Sequence, residues 1–460
     1  MKIIILGAGQ VGSSLAEHLV REANDITVVD RDSSVLHELH DRFDLRTLSG
    51  HCAHPDVLER AGGQDADMVV AVTDSDEVNM IACQVAHTLF HTPTKIARVR
   101  AASYLNRPEL AGGEHSALPI DIVISPEQLV TDHIVRLLEH PGALQVVEFA
   151  SGRIQLVGLR AMAGAPAVGH TIQSLTQRLP KVQMRIAAIF RKNENIKPEG
   201  SVVIEHGDEI FFLVAPKFVD RLTAQFRETD RPYRHIMIAG GGNIGMRLAR
   251  KLEGHYKVKL IEPDRRRAQY LTNKLRKTMV LIGDGADESL LSEENVGDMD
   301  VFVALTNRGE ANILSAMLAK QLGVRRTMAL VNRPGHSQII EEGPGVDIAI
   351  SPQEITVGAL LRRVRRGDIV AVHSLRKGSA EAIEAIAHGD SRTSRVVGRR
   401  IDELKLPAGI RFSALVRGDE VIIVHHDTVI EPEDHVIVFV ADKQKLPEVE
   451  EMFQVKVTYI

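Results

Sequence analysis

The sequence has no tryptophan, only two cysteines, and no apolar run of the ~18 residues that a membrane-spanning helix needs. Without tryptophan the favoured anchor of membrane interfaces is missing. Cys52 and Cys83 cannot make a disulfide framework, and so little cysteine fits a reducing compartment. The chain enters an apolar run at once, with no charged n-region or cleavage site, so no secretory leader is expected. A basic excess is lacking too. Lys and Arg number 56 against 61 Asp and Glu, for a net charge of −5. That balance argues against a general nucleic-acid binder. The pattern G-x-x-x-x-G-K-[ST] does not occur, which removes a P-loop for ATP hydrolysis. The expected location is cytoplasmic.

What is present is an ordinary globular composition, 44% hydrophobic and 25% charged, in 460 residues. The chain is organised around one turn that it uses twice. Residues 2–12 read Lys-Ile-Ile-Ile-Leu-Gly-Ala-Gly-Gln-Val-Gly, and residues 235–245 read His-Ile-Met-Ile-Ala-Gly-Gly-Gly-Asn-Ile-Gly. Each is a short apolar run, suited to a buried parallel strand, that enters G-x-G-x-x-G. The first glycine permits the tight turn, the second lets backbone approach a pyrophosphate, and the third lets the next helix pack closely. That helix aims unpaired N–H groups and its positive dipole end at the phosphates.

A lone G-x-G-x-x-G is weak evidence, but here each copy has its context. An amphipathic stretch follows the glycines, then a second apolar run ends in a carboxylate, Asp30 in one copy and Glu262 in the other. A carboxylate roughly 20 residues past the glycines is where a ribose diol is held.

The second half repeats the first at an offset of about 233. Asp67-Met-Val-Val-Ala-Val-Thr-Asp matches Asp300-Val-Phe-Val-Ala-Leu-Thr-Asn, and Asn79 matches Asn312. A duplication of this length fixes the architecture. Strands are expected at 2–6, 25–29, 45–48, 68–72, 95–99 and 121–124. Their counterparts are 235–239, 257–261, 278–282, 300–305, 327–331 and 347–350. Helices lie between them, most clearly Glu77–Phe90, where Val78, Ile81, Ala82, Val85 and Leu89 recur at helical spacing. Alternating βα units make a doubly wound parallel sheet. Each sheet ends at a helix start, Ser125-Pro-Glu-Gln or Ser351-Pro-Gln-Glu. Both read as capping boxes with proline at the first helical position. These helices run to His140 and Arg366, where Pro141-Gly142 and Gly367 stop them. Short β runs follow. Val202–Val214 and Val429–Val440 look like hairpins, and Gly169–Leu175 matches Gly398–Leu404 as a short helix. The fold class is therefore α/β: two Rossmann-like parallel sheets, each followed by a small α+β domain. The expected domains are 1–140, 141–228, 232–366 and 367–456, with a linker near Arg231-Pro232.

Copy one has the fuller ligand set. Gly7, Ala8, Gly9, Gln10, Val11 and Gly12 would cradle a pyrophosphate, and Asp30 would take the adenine-side ribose. A carboxylate there repels a 2′-phosphate, which favours NAD(H) over NADP(H), although Arg31 is adjacent. Thr73 and Asp74 sit at the carboxyl end of a strand, where open α/β sheets bind ligands. Arg98 and Arg100 follow another strand, and an arginine there can grip phosphate oxygens as a bidentate donor. Copy two keeps Gly240, Gly241, Gly242, Asn243, Ile244, Gly245, Glu262 and Thr306-Asn307. Leu330 stands where Arg98 stands in copy one. The second pocket thus has less charge for a free phosphate, and a different nucleotide, weaker binding or none are all open.

Other signals are poor. His51, Cys52 and His54 cluster at a turn, but the matching Asp284-Gly-Ala-Asp has other ligand types, so a loop beside the adenine is expected and no metal. His425-His426-Asp427 reads as an exposed turn. Tyr270 and Lys274 have the Tyr-x-x-x-Lys spacing of some reductases but lie away from the nicotinamide end. The basic run Arg362-Arg-Val-Arg-Arg reads as a solvated or subunit-facing helix end. No catalytic acid, base or nucleophile is in evidence.

Paired Rossmann-like domains of this kind suit a sensor. The chain resembles the tandem-RCK (KTN) family of regulatory subunits of bacterial Trk-type potassium uptake systems. The resemblance runs over essentially the whole chain, in the order RCK-N, RCK-C, RCK-N, RCK-C. It is carried by Gly7 to Gly12, Asp30, Thr73-Asp-Ser-Asp-Glu, Arg98, Gly240 to Gly245, Glu262 and the two Ser-Pro helix starts. It implies a homotetramer whose RCK domains form a ring, at the inner face of the cell membrane. Its partner would be a membrane potassium-translocating subunit of the Trk type. NAD(H) and ATP or ADP would bind the N-domains, and the ring would change shape to gate the pore. The C-domains would be further ligand modules. An NAD-dependent oxidoreductase is the rival reading, supported by the fold alone.

Overall fold

The computed structural model describes residues 1–20, 24–107, 109–110, 116–192, 194–227, 232–331, 345–364, 369–375, 380–442 and 445–455. Arg231 of the expected linker, Arg365 and Arg366 of the basic run, and Gly367 lie outside them. The chain divides into two compact units, residues 1–132 with 235–364, and residues 133–234 with 365–460.

The first unit holds two six-stranded parallel sheets. The strands of the first are β1 (Lys2–Leu6), β2 (Asp25–Asp30), β3 (Arg46–Ser49), β4 (Met68–Ala71), β5 (Thr94–Arg98) and β6 (Ile122–Ile124). Their order is β3-β2-β1-β4-β5-β6, doubly wound. Ile3, Ile5, Val28 and Val70 fill one face and Ile4, Leu6, Val29 and Val69 the other, because successive residues of a strand point to opposite sides. Both faces are covered, so these strands read as continuous apolar runs.

The helix expected at 77–90 is Asp76–Phe90, started by Ser75, whose side chain accepts from Val78 N. Its buried face is Asn79, Met80, Ala82, Cys83 and Ala86, whereas Ile81 and Leu89 are about half exposed, at 49% and 50%. The apolar spacing was real, but small residues face the sheet.

The second half repeats the pattern. After β7 to β11 of the first half, which lie in the other unit and are given below, come β12 (His235–Ala239), β13 (Lys257–Glu262), β14 (Met279–Ile282), β15 (Val301–Ala304), β16 (Arg326–Leu330) and β17 (Ile348–Ile350). These are ordered β14-β13-β12-β15-β16-β17.

The halves exchange helices. Val357, Leu360, Leu361 and Val364, on the helix Pro352–Val364, share a core with Leu15, Ala16 and Leu19 of the first half. In return Lys251, on the helix Asn243–Leu252, pairs with Asp132 of the helix Pro126–Glu139. The two helix starts differ. Ser351 Oγ accepts from Glu354 N at 3.2 Å, as a cap should. Ser125 Oγ is buried and has no hydrogen-bond partner among the described residues, so the first capping box is not made.

The second unit holds two five-stranded antiparallel sheets. One is built from β7 (Ala143–Phe149), β8 (Ile154–Arg160), β9 (Met184–Arg191), β10 (Glu194–Ile196) and β11 (Glu209–Val214), in the order β10-β9-β11-β8-β7. The other has β18 (Ile369–Leu375), β19 (Ala380–Ile386), β20 (Ile410–Arg417), β21 (Glu420–Ile423) and β22 (His435–Val440), in the order β18-β19-β22-β20-β21. Phe149, Phe190 and Phe211 join Leu375, Ala414 and Phe439 in one core between the sheets.

The hairpins expected at 202–214 and 429–440 are not formed. β11 pairs with β8 and β9, while Val203 makes only an isolated bridge to Thr171. β22 likewise pairs with β19 and β20, and Val429 bridges to Arg400. The reason lies in the turn. Asp208 accepts from Glu205 N and binds Arg191 of β9, which turns the chain away from a direct return. Residues 401–403 form one 3-10 turn, and Ile172–Arg178 is a helix, close to the short helices expected.

Candidate functional site

The two glycine loops follow β1 and β12, each of which lies between strands that run off to opposite sides of its sheet. That is the switch point where open sheets leave a crevice. Gly7 has φ +106° and Gly240 has φ +109°, which side chains rarely adopt. Their amides are held by the next strand, Gly7 N to Val29 O at 2.8 Å and Gly240 N to Ile261 O at 2.9 Å. A β-carbon on Gly12 would stand 1.9 Å from Gly7 O, and one on Gly245 1.9 Å from Gly240 O. These glycines serve packing.

The middle glycines differ. Among the described residues a β-carbon on Gly9 or Gly242 would meet nothing within 4 Å, and neither glycine has positive φ. No contact among the described residues requires glycine there. What a side chain would block is the approach of something from outside. The helices begin at once. Ser13 N bonds Gly9 O at 2.9 Å and Met246 N bonds Gly242 O at 2.9 Å, which leaves the preceding amides, those of Gln10 and Val11, or Asn243 and Ile244, without intrahelical acceptors. A row of such donors with the helix dipole behind it is an anion cradle, and the residues fit a dinucleotide pyrophosphate.

The carboxylates stand beside these loops. Asp30 accepts from Ala8 N at 2.6 Å and Asp32 N at 2.9 Å. Glu262 accepts from Gly241 N at 2.9 Å and Asp264 N at 3.0 Å. Each ties its glycine loop to the end of the second strand. Copy two is tighter. A β-carbon on Gly241, the counterpart of Ala8, would lie 2.3 Å from Leu271 Cδ1 and 2.9 Å from Glu262 Oε2.

Across the crevice, Thr73 and Thr306 are held by a residue pair whose role the sequence reading missed. Asn79 is fully buried. Its Oδ1 accepts from Thr73 N (2.9 Å) and Thr73 Oγ1 (2.7 Å), while its Nδ2 donates to Thr73 O (3.2 Å) and Arg98 O (2.9 Å). Asn312 repeats this on Thr306 N, Thr306 Oγ1, Thr306 O and Leu330 O. One amide thus joins the ends of neighbouring strands. The signal was an asparagine at the same place in both halves, among apolar helix positions.

The charged residues separate into used and unused. Arg100 donates to Asp74 O, and its amide, with that of Ala101, bonds the buried Asp76 carboxylate. Asp74 itself is exposed. Arg98 is different. Among the described residues its buried Nε has no hydrogen-bond partner, nor have Ser125 Oγ and Glu127 Oε2. Burial, with Arg100 alongside, holds the Arg98 guanidinium below the usual arginine range, while Glu127, Asp76 and Asp74 pull the other way. Burial also raises the Glu127 carboxyl, against the pull of Arg100, Arg98 and Arg247. Copy two has Leu330, 4% exposed, in place of Arg98.

His51 and His54 stack with ring centroids 4.3 Å apart, and Cys52 Sγ donates to Val29 O, so the loop after β3 closes against the strand that carries Asp30. Tyr270 lies on the helix Arg265–Lys274 with Arg267 and Lys274 over its ring, at 5.0 and 5.8 Å. His425 to Asp427 form an exposed turn. Among the described residues no helix is long and apolar enough to cross a membrane.

Comparison with known proteins agrees with this architecture. The TrkA-N domain family matches residues 3–126 and 236–352, and the TrkA-C domain family matches 156–227 and 391–454. The Trk system potassium uptake protein TrkA of Halomonas elongata is 55% identical over 459 residues, covering 100% of both chains. Its namesake from Vibrio alginolyticus is 52% identical, covering 99% of each. Among solved structures, the GsuK RCK domain is similar at a TM-score of 0.58 and 18% identity, covering 98% of this chain and 94% of that one. The GsuK channel bound to NAD is similar at 0.59 and 17%, covering 98% and 78%, which shows a shared fold. Two crevices on duplicated sheets, with family matches in both halves and full-length relatives above half identity, place this chain in the TrkA family of Trk system potassium uptake proteins.

Proposed function

We propose that this chain is a nucleotide-sensing regulatory subunit that holds NAD(H), and ATP or ADP, in its glycine-loop crevices and thereby gates a membrane potassium-translocating partner of the Trk type. One observation carries the reading. Among the described residues nothing stands within 4 Å of where a β-carbon on Gly9 or Gly242 would lie, beside helix amides with no intrahelical acceptor, and the packing described does not require such a cradle. Asp30 and Glu262 supply the ribose contact, Thr73 and Thr306 line the far side, and Arg98 with its buried unpartnered Nε awaits a phosphate or other acceptor in the first crevice. The NAD-bound GsuK channel, of the same fold, supports a dinucleotide as ligand.

Residues 1–140 and 232–366 serve as nucleotide domains, and 141–228 and 367–456 as the modules that follow them. The assembly is a homotetrameric ring held peripherally at the inner face of the membrane. A nucleotide moves it only as far as its affinities for the two shapes differ. The exchanged helices Pro126–Glu139 and Pro352–Val364 are the moving parts, since each touches the nucleotide domain of the other half.

The test uses the purified full-length chain. NADH should bind saturably, Arg98→Ala should weaken nucleotide binding in the first crevice, and capture of the membrane subunit should depend on nucleotide. Absence of NADH binding overturns the reading, and so does steady NADH oxidation with a defined acceptor.

A further inference from the structure

The two crevices hold their half-buried arginines at opposite ends, while Arg31 beside Asp30 and Arg308 just past Thr306 are exposed. In the first crevice it is Arg98, with Arg100 nearby, at the end of β5 and across from Asp30. In the second, Leu330 holds that place and the half-buried arginine stands beside the glycine loop, as Arg267.

Arg267 is built into position. It lies in the first turn of the helix Arg265–Lys274, where the side chain of the N-cap Asp264 accepts Arg267 N at 2.6 Å. Its Nε donates to Gly241 O at 2.8 Å, and its Nη2 lies 4.0 Å from Met246 Sδ. Tyr270, one helical turn on, backs the guanidinium at 5.0 Å. Among the described residues no carboxylate forms an ion pair with Arg267. The guanidinium is therefore pinned to the loop that Glu262 ties down, at the ribose end of the crevice, by a carbonyl and not by a carboxylate.

A purely structural role does not account for it. In the first crevice the same loop carbonyl, Ala8 O, is satisfied by the hydroxyl of Ser13 at 2.6 Å. There Val35, packed on the core, occupies the position of Arg267. A serine hydroxyl suffices for the carbonyl. Met246 replaces Ser13 in copy two, and a long planar cation does the same job while adding a face. Such a face stacks on aromatic rings, and the ring beyond a ribose held by Glu262 is a purine base.

We propose that Arg267 is the adenine-recognition residue of the second crevice, so that this crevice grips its nucleotide from the adenosine end while the first grips from the distal end through Arg98. This rests on the nucleotide reading above. It assigns the second crevice to adenine nucleotides that need no terminal phosphate for affinity, AMP being the smallest.

Calorimetry on the full-length chain decides it, with NADH, AMP and ribose 5-phosphate as titrants. Arg267→Ala should weaken NADH and AMP at one class of sites by about tenfold or more, the range of a lost base stack. It should leave the other class and ribose 5-phosphate unchanged. Arg267→Lys keeps a donor for Gly241 O but loses the plane, and should not restore AMP. Wild-type affinities in Arg267→Ala overturn the proposal. So does full rescue by lysine, or an equal loss of AMP and ribose 5-phosphate, because each is the mark of a loop staple. If the unaltered chain takes up neither NADH nor AMP, it is the nucleotide reading that fails.

Discussion

Arg191 and Asp208 form a two-pronged pair, Nε to Oδ1 at 2.8 Å and Nη2 to Oδ2 at 2.9 Å, and the pair recurs as Arg417 and Asp434 at 2.9 and 2.8 Å. Both aspartates are fully buried. Each arginine also reaches a carbonyl, Val203 O or Val429 O, and so ties two turns of its small domain to a strand. Arg191→Ala leaves a buried carboxylate without its partner and should cost about 3–5 kcal/mol. Denaturant unfolding measures it, with the same expected for Arg417→Ala. A loss below ~1 kcal/mol would mean that the pair is ornamental.

Gly12→Ala places a β-carbon 1.9 Å from Gly7 O, and the obstacle is backbone rather than a side chain that can swing away. The loop must open, so NADH affinity at the first crevice should fall at least about tenfold, with stability reduced by about 1–3 kcal/mol. Gly9→Ala makes the converse prediction. Its β-carbon has room, so stability should hold while nucleotide affinity falls. Fluorescence titration with NADH beside a melting curve distinguishes the two.

Asn79→Ala removes four hydrogen bonds and leaves Thr73 N and Arg98 O without their partner at the partly buried wall of the crevice. Orphaned buried groups cost about 1–3 kcal/mol each, so a loss of ~2–5 kcal/mol is expected. Asn79→Asp keeps the acceptor and loses the donor, and should fall between. Because the amide positions both the Thr73 loop and the end of β5, nucleotide affinity should drop even where the chain stays folded. Titrations below the melting range check this.

Burial pushes the thiols of Cys52 and Cys83 up to about 12, from ordinary values of 9.0. Neither should react with a disulfide reagent at neutral pH until the chain unfolds. The linkage has a definite sign. The folded state holds these protons more tightly than the unfolded one. Their contribution to stability is therefore complete below pH 9 and is lost as pH rises towards about 12. In melting curves taken across that window, Cys52→Ser and Cys83→Ser should each flatten the alkaline loss.

Much of this was legible in the residues because it is local. A run such as Ile3-Ile-Ile-Leu reads as a buried parallel strand, since both faces of that strand are covered. Gly7 and Gly12 announce a turn that only glycine can make, and Asp30 ends the next strand. The duplication then predicts every element of the second sheet within a residue or so. The hairpins at 202–214 and 429–440 were misread for the opposite reason. Their alternation fixes which side chains face inward but says nothing of which strand lies alongside, and Arg191 with Asp208 redirects the chain.

By itself the order of residues settled the two parallel sheets, the paired glycine loops and the carboxylates beside them. Each follows from periodicity, a forbidden φ or the length of one βα unit. Tertiary structure alone decided which side chains meet. It brought the helix after β17 onto the first half's core, joined strand ends through Asn79 and Asn312, and left Ser125 without the cap its sequence promised. It also laid Arg267 on Gly241 O, a contact across 26 residues. Contacts at such separations depend on how whole elements pack, and no window along the chain contains that information.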